Sequence, residues 1–371
     1  MMSTSLPPIP KRLERIAPYS PIEPYEVLSE RLGFAPDDLT KMDANENPYG
    51  VSPKTRKALA ELKYPHIYPD PESRALRQAL SDFTGVPVQN LMAGSGADEL
   101  LDLILRAYLE PGEKVAICPP TFGMYSFDTL INTGQVVKVP RNSDFSINLT
   151  ALVQTVETET PKVLFVTRPN NPDGGMPTSD EMQALLELPL LVVVDEAYIE
   201  FTNDGGRLGE QLSLIREVEK RNNLVVLRTF SKWAGLAGLR VGYGAFPEWL
   251  ITALWKIKQP YNVNVAGTQA ALASLADLDW LAGNVALLRE ERSRLFKSLQ
   301  GIACLSPFPS QTNFILCRVS GRSAAELKNS LAQKGVLVRY YTSKGLSDCI
   351  RVSVGRPQDT DHLIKALKEL Q

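Results

Sequence analysis

The sequence predicts an α/β protein: a large domain with a mostly parallel, helix-covered sheet, plus a smaller α+β domain. Between about residues 74 and 245, helical patterns alternate with short apolar runs at 114–118, 163–166, 190–194 and 224–227. These runs lack polar alternation, as strands do when helices bury both faces of a sheet, and the segments between them are long enough for helical crossovers. After Pro260 an Ala- and Leu-rich helical stretch, about 266–300, precedes strand-like pieces at 313–319, 336–341 and 349–354 and an amphipathic helix over 359–370. Elements segregated in this way read as α+β. The length, 371 residues, suits two domains at roughly 150 residues each.

Taken in order, the chain opens on six prolines within its first 24 residues: Pro7, Pro8, Pro10, Pro18, Pro21 and Pro24. Proline fixes φ and discourages helix in the residue before it, so an extended arm is expected. Residues 1–45 are assigned to this arm and to a contribution to the small domain, 46–260 to the large domain and 261–371 to the small C-terminal domain.

Composition excludes several classes of function. Forty Lys and Arg against 42 Asp and Glu leave a net charge of −2, without the excess of positive charge that a nucleic acid or an anionic membrane surface requires. Two histidines are too few for most imidazole metal sites or histidine-based triads, and no metal is expected. The four cysteines, Cys118, Cys304, Cys317 and Cys349, form no CxxC pair, which argues against a zinc knuckle or a disulfide framework and fits a reducing cytoplasm. The first thirty residues lack a signal-peptide apolar region, Glu14 and Glu23 count against a transit peptide, and no run of 18 apolar residues exists to span a membrane. A cytoplasmic location is expected.

Ligands of open α/β sheets bind beyond the carboxyl ends of the strands, so the residues following each apolar run are the ones to inspect. They are Pro119 to Gly123; Arg168-Pro169-Asn170-Asn171-Pro172-Asp173-Gly174; Asp195-Glu196-Ala197-Tyr198; and Thr229-Phe230-Ser231-Lys232. Each alone is ordinary turn, cap or surface chemistry. Together they bring a carboxylate, an amide, a phenol, an aromatic ring and an amine to one crevice. Gly94-Ser95-Gly96-Ala97-Asp98-Glu99 opens an apolar helix at 100–109, where free N–H groups and the helix dipole favour an anion. Glu99 stands in place of the third glycine of GxGxxG, which disfavours a dinucleotide and a nicotinamide-dependent dehydrogenase. A phosphate monoester neutralised by Arg240 fits better.

Pyridoxal 5′-phosphate would use every one of these features: a lysine for its aldehyde, a carboxylate for its ring nitrogen and a cradle for its phosphate. The lysine must lose its proton more easily than its usual pKa of about 10.4 allows, and a buried position beside Arg240 would push that way.

The run from Ser231-Lys232-Trp233 through Arg240 to Tyr243 resembles the Schiff-base lysine segment of fold-type I pyridoxal-phosphate aminotransferases. Asn170-Asn171-Pro172-Asp173-Gly174 and Asp195-Glu196-Ala197-Tyr198 stand in that family's order, and the likeness runs from Asn45 to Arg351. The segments Asn45-Glu46-Asn47-Pro48-Tyr49, Tyr68-Pro69-Asp70-Pro71, Pro119 to Tyr125 and Ile350 to Gly355 are similar to those of histidinol-phosphate aminotransferases as a group. The resemblance implies the aspartate aminotransferase-like fold type I, with the large domain binding the cofactor. It also implies roles residue by residue. Lys232 would carry the cofactor and move the proton, Asp195 would pair with the ring nitrogen, Asn171 and Tyr198 would bond the 3′ oxygen, and Phe122 would stack on the ring. Ala97, Asp98, Ser231 and Arg240 would hold the phosphate, which Tyr68 would reach from the second subunit of a homodimer. Arg339 and Arg351 would bind the anionic end of the substrate, with Asn47, Tyr49 and the arm beside it.

The implied reaction is transamination of L-histidinol phosphate with 2-oxoglutarate, giving imidazole-acetol phosphate and glutamate, a step of histidine biosynthesis. An arginine can serve both anions through bidentate hydrogen bonds. The alternatives within the fold are an aromatic amino acid aminotransferase and a decarboxylase of phosphorylated amino acids. A binding module without turnover would have little need for Lys232 together with Asp195 and Tyr198. The sequence departs from the family pattern at Phe122, where tyrosine is common, and at Arg168 and Asp173, which are expected to alter the electrostatics on the substrate side.

Overall fold

The computed structural model describes residues 9, 10, 13, 14, 16 and 23–370. Of the arm's prolines, Pro7, Pro8, Pro18 and Pro21 lie outside the described residues. Pro24 precedes the helix Tyr25–Leu32, which ends at Gly33 in a left-handed cap.

Twelve strands among the described residues form two sheets. The small sheet takes β1 (Thr40–Met42) from the N-terminal segment, and the large sheet takes β2 (Leu91–Gly94), β3 (Lys114–Ile117), β4 (Gln135–Lys138), β5 (Val163–Thr167), β6 (Leu191–Asp195), β7 (Leu224–Thr229) and β8 (Gly242–Ala245). The small sheet is completed by β9 (Leu305–Pro307), β10 (Phe314–Val319), β11 (Val336–Tyr340) and β12 (Cys349–Ser353). The large sheet runs β2-β8-β7-β6-β5-β3-β4 and the small one β1-β11-β12-β10-β9. In the large sheet β8 alone is antiparallel to its neighbours, β7 and β2, while β4, β3, β5, β6 and β7 pair in parallel. The sheet is therefore mostly parallel, with one reversed strand.

Burial explains the apolar runs. Val192, Val193 and Val194 of β6 and Val225 and Val226 of β7 have no exposed surface, and each such side chain contributes about 1.5–3 kcal/mol by leaving water. They divide between two core clusters by alternation: Val192, Val194 and Val226 face one, Val193 and Val225 the other. Thus the sheet has a packed layer on each face, which is why its strands read without polar alternation.

Three strands of the large sheet, β2, β4 and β8, and two of the small one, β1 and β9, were not legible as strands, and the helical stretch 266–300 is two helices rather than one. Val265–Leu275 and Leu278–Gln300 meet at a bend of 83°. Thr55 and Ser274 share a 3.0 Å hydroxyl hydrogen bond, and Lys54 Nζ donates to the Ala276 carbonyl at 2.5 Å. The first helix is thereby anchored to the helix Pro53–Ala60 and its last carbonyls are capped from outside. Among the described residues, no single helix is long and apolar enough to cross a membrane.

Candidate active site

The carboxyl ends of the parallel strands and the opening of one helix converge on a cavity of ≈130 Å³. Asp195 and Tyr198 reach it from the end of β6, Asn171 from the turn after β5, Phe122 from the segment after β3, and Ser231 and Lys232 from the turn after β7. Ala97 and Asp98 belong to the first turn of the helix Gly96–Tyr108, and Arg240 precedes β8. A second cavity of ≈520 Å³ shares Phe122, Asn171, Tyr198 and Lys232 with the first and adds Arg339 and Arg351. Those two arginines sit opposite one another in the β11–β12 register. Lys232 borders both spaces.

Local chemistry holds these groups in place. Asp195, 5 % exposed, accepts the Ala197 N–H at 3.0 Å and the Tyr125 hydroxyl at 2.7 Å. Burial raises its carboxyl to about 6, against the lowering effect of those two donors. The Tyr198 hydroxyl accepts Asn45 Nδ2 at 3.1 Å. Ser231 is fixed by Thr229, whose hydroxyl donates to its Oγ at 2.9 Å.

Burial lowers Lys232 from 10.5 to about 8, with Arg351 the next contributor and Arg240 a smaller one, while Glu46 and Asp98 oppose the shift. The sequence points to burial beside Arg240; of the two, burial is the larger, and Arg351 contributes more than Arg240. Desolvation is the largest cause because the amine stands among protein groups at the junction of the two cavities.

The opening of the helix Gly96–Tyr108 rests on close backbone approach. Gly96 has φ +77°, and a Cβ on it would stand 2.5 Å from Arg240 Nη2; a Cβ on Gly242 of β8 would stand 2.3 Å from the Ala97 nitrogen. These glycines therefore let β8 and the guanidinium lie directly against the helix opening. Arg240 Nη2 donates to Asp98 Oδ2 at 2.7 Å, an ion pair that remains partly open to solvent. Glu99, which replaces the third glycine of a dinucleotide fingerprint, closes the turn instead: its carboxylate accepts Ser95 N–H at 2.6 Å and Asn262 Nδ2 at 2.8 Å.

Three sequence-singled residues line neither cavity. Asn47 donates from Nδ2 to the Trp233 carbonyl at 2.9 Å and accepts the Tyr49 N–H at 3.0 Å, so it braces the segment that carries Lys232. Tyr49 lines a separate groove with Trp280, with the Arg356 guanidinium over its ring. Tyr68 is 79 % exposed and stacks on Tyr261 at 4.6 Å.

Arg168 and Asp173 do not face substrate space. Buried Arg168 donates to the Leu212 carbonyl and lies 3.7 Å from Glu196, while Asp173 accepts from Asn170 and from the Gly175 N–H. Both shape the loops behind the cavity, which corrects the expectation of an electrostatic effect on substrate.

Sequence reasoning gave no role to Tyr125 or to Asn45. The signal for Tyr125 is its place at the end of the Pro119 to Tyr125 segment, three residues after Phe122 and at the start of the helix Met124–Ile131. For Asn45 it is its place at the head of the Asn45 to Tyr49 segment; in the structure it has a left-handed backbone, φ 56°, which asparagine tolerates better than most residues. That geometry lets Asn45 accept from Ser353 of β12 through its side chain and from Asn313 through its carbonyl.

A lysine and a buried carboxylate lining one cavity at the strand ends, beside a glycine-opened helix, fit an aminotransferase site, and the chain belongs to the aminotransferase class I and II family, whose model matches residues 37–367. Within it, the chain is 52% identical over 358 residues to histidinol-phosphate aminotransferase 1, chloroplastic, of Arabidopsis thaliana, covering 96% of this chain and 84% of that protein. It is 48% identical over 363 residues to the histidinol-phosphate aminotransferase of Roseiflexus castenholzii, covering 96% of each. Among solved structures, the histidinol-phosphate aminotransferase from Sinorhizobium meliloti in complex with pyridoxal-5′-phosphate matches with a TM-score of 0.87 at 26% identity, over 99% of this chain and 100% of that one.

Proposed function

We propose that the protein transfers the amino group of L-histidinol phosphate to 2-oxoglutarate, giving imidazole-acetol phosphate and glutamate, as a step of histidine biosynthesis. The observation that carries this is the enclosure of Lys232 and Asp195 in one cavity whose outer extension is bordered by Arg339 and Arg351. The donor set suits pyridoxal phosphate. A buried carboxylate with two donors already in place matches a protonated ring nitrogen, and the helix opening with Arg240 matches a phosphate. When bound, that cofactor supplies an electron sink for the substrate's Cα.

The chain's own groups do the rest. Lys232, with its proton held weakly at about 8, is suited to take the Cα proton and return it on the other side of the exchange. Asn171 and Tyr198 offer hydrogen bonds to the ring oxygen, Phe122 a face for the ring, and the Ala97 and Asp98 N–H groups, Ser231 and Arg240 a hold on the phosphate. Arg339 and Arg351 offer guanidinium forks that serve a phosphate ester in one half-reaction and a carboxylate in the other.

The proposal includes a homodimer in which exposed Tyr68 meets the phosphate of the other subunit. It also includes a cytoplasmic setting and the division at residues 45 and 260 into arm, cofactor-binding domain and small domain. The test is glutamate formation from 2-oxoglutarate with histidinol phosphate, phenylalanine or tyrosine as donor. Histidinol phosphate is expected to give the highest kcat/KM, and a higher value with either aromatic donor overturns the substrate assignment.

A further inference from the structure

Asp195 does not end its hydrogen bonding at Tyr125. The Tyr125 hydroxyl also meets Thr167 Oγ1 at 2.7 Å, Thr167 meets Thr121 Oγ1 at 3.1 Å, and Thr121 meets Asn170 Oδ1 at 3.0 Å. Asn170 Oδ1 can only accept, and it is the end that faces Thr121 because the amide nitrogen donates to the Pro120 carbonyl and to Asp173. An ionised Asp195 can likewise only accept. Acceptors therefore close both ends of a chain that runs through the hydroxyls of Tyr125, Thr167 and Thr121.

We propose that Tyr125 is a positioning residue that keeps Asp195 ionised and directed at the cofactor's ring nitrogen, fed by a hydroxyl chain that is one hydrogen short. The proposal rests on the aminotransferase reading of the cavity. Three hydroxyl hydrogens must serve four links, Asp195–Tyr125, Tyr125–Thr167, Thr167–Thr121 and Thr121–Asn170. Tyr125 donates to Asp195 and Thr121 donates to Asn170, and with the 2.7 Å Tyr125–Thr167 link filled, the one left without a hydrogen is Thr167–Thr121, the longest at 3.1 Å and away from the carboxylate.

With that polarity Tyr125 donates to Asp195 and Thr167 donates to Tyr125. Each donation stabilises the charged carboxylate against the burial that raises it. A proton placed on Asp195 would fill all four links by reversing the hydroxyls of Tyr125 and Thr167, so the direction of the chain and the charge of Asp195 are tied together. Tyr125 is itself fully buried and stacks on Phe165 at 4.7 Å, which fixes where its hydroxyl points.

The test uses full-length protein freed of cofactor and reloaded either with pyridoxal phosphate or with an analogue whose ring nitrogen is replaced by carbon. Tyr125→Phe keeps the ring and removes the hydroxyl. Its Kd for pyridoxal phosphate is expected to rise about 10-fold or more, the scale of a lost hydrogen bond to a buried charge. Its kcat is expected to fall by a similar factor, with KM for 2-oxoglutarate changed less than about 2-fold. With the carbon analogue, wild type and Tyr125→Phe are expected to bind alike. Thr167→Val, which removes the donor behind Tyr125, is expected to shift Kd in the same direction by less, and gives the reading if Tyr125→Phe folds poorly. Equal weakening toward both ligands in either variant, or none toward pyridoxal phosphate, overturns the positioning role. A wild-type protein that binds the two ligands equally overturns the aminotransferase reading of Asp195 as well.

Discussion

Arg351 of β12 donates from Nη1 to Asn171 Oδ1 at 2.7 Å, across 180 positions of sequence, and from Nη2 to the Asp43 carbonyl at 3.0 Å. One guanidinium thus joins the small sheet, the turn after β5 and the N-terminal segment. By occupying Asn171 Oδ1 it orients that amide so that Nδ2 is the end left to donate. Arg351→Lys keeps the charge and loses the fork. It is expected to lower kcat/KM for histidinol phosphate about 10- to 100-fold while the bound cofactor content stays near wild type. Steady-state kinetics beside cofactor quantification checks this, and a change under 2-fold would count against the role.

Gly242→Ala tests the cradle. The added Cβ would stand 2.3 Å from the Ala97 nitrogen and 2.5 Å from the Gly96 carbonyl carbon, both backbone atoms, so the helix opening has to move. Overpacking of this kind costs about 1–3 kcal/mol. The variant is expected to retain less cofactor on purification and to gain less thermal stability than wild type when cofactor is added back.

Much of the sheet was legible for a physical reason. The parallel strands β3, β5, β6 and β7 are buried on both faces and read as unbroken apolar runs. The strands that were missed are short or interrupted: β8 is Gly-Tyr-Gly-Ala, β2 is buried but only four residues ending on glycine, β4 is an edge strand with exposed Gln135 and Lys138, and β1 and β9 have three residues each. In the site, Asp195 was legible because it ends an apolar run, and Lys232 and Arg240 because they lie in one recognisable segment beyond another. Tyr125 was not, since its hydrogen bond to Asp195 spans 70 residues and no local pattern encodes it. Arg168 and Asp173 were misjudged for a related reason: type and position suggested charge near substrate, whereas burial turned both toward neighbouring loops.

Lys232 makes a pH prediction for the cofactor-free protein. The unfolded chain holds the proton up to the usual 10.5, whereas the native amine releases it at about 8. Between those values the unfolded state binds more protons, so native stability rises with pH. Lys232→Met is expected to exceed wild type by about 2 kcal/mol or more at pH 7, with the gap narrowing as pH rises above 8. Urea midpoints across that range check the sign.

Asp128 makes the opposite prediction. It is 6 % exposed, its Oδ2 has no hydrogen-bond partner, and burial, followed by Asp102 and Asp98, raises it to about 7. Between the ordinary carboxylate range and 7 the native state holds a proton the unfolded chain has lost, so stability falls as pH rises. Asp128→Asn is expected to be more stable than wild type by about 1–3 kcal/mol at pH 8 and nearly equal to it at pH 4. Equal denaturation midpoints at pH 8 would contradict this.

The central claim, that this cavity performs transamination on histidinol phosphate through Lys232, is tested most directly by single-turnover spectroscopy of the cofactor-loaded protein. Mixing with histidinol phosphate in the absence of 2-oxoglutarate is expected to abolish the absorbance of the lysine-bound cofactor without release of carbon dioxide, and 2-oxoglutarate added afterwards is expected to restore it. Borohydride treatment before mixing should fix the cofactor on Lys232 and block the response. No spectral change with histidinol phosphate, release of carbon dioxide in proportion to turnover, or a reduced label on a different lysine would contradict the account.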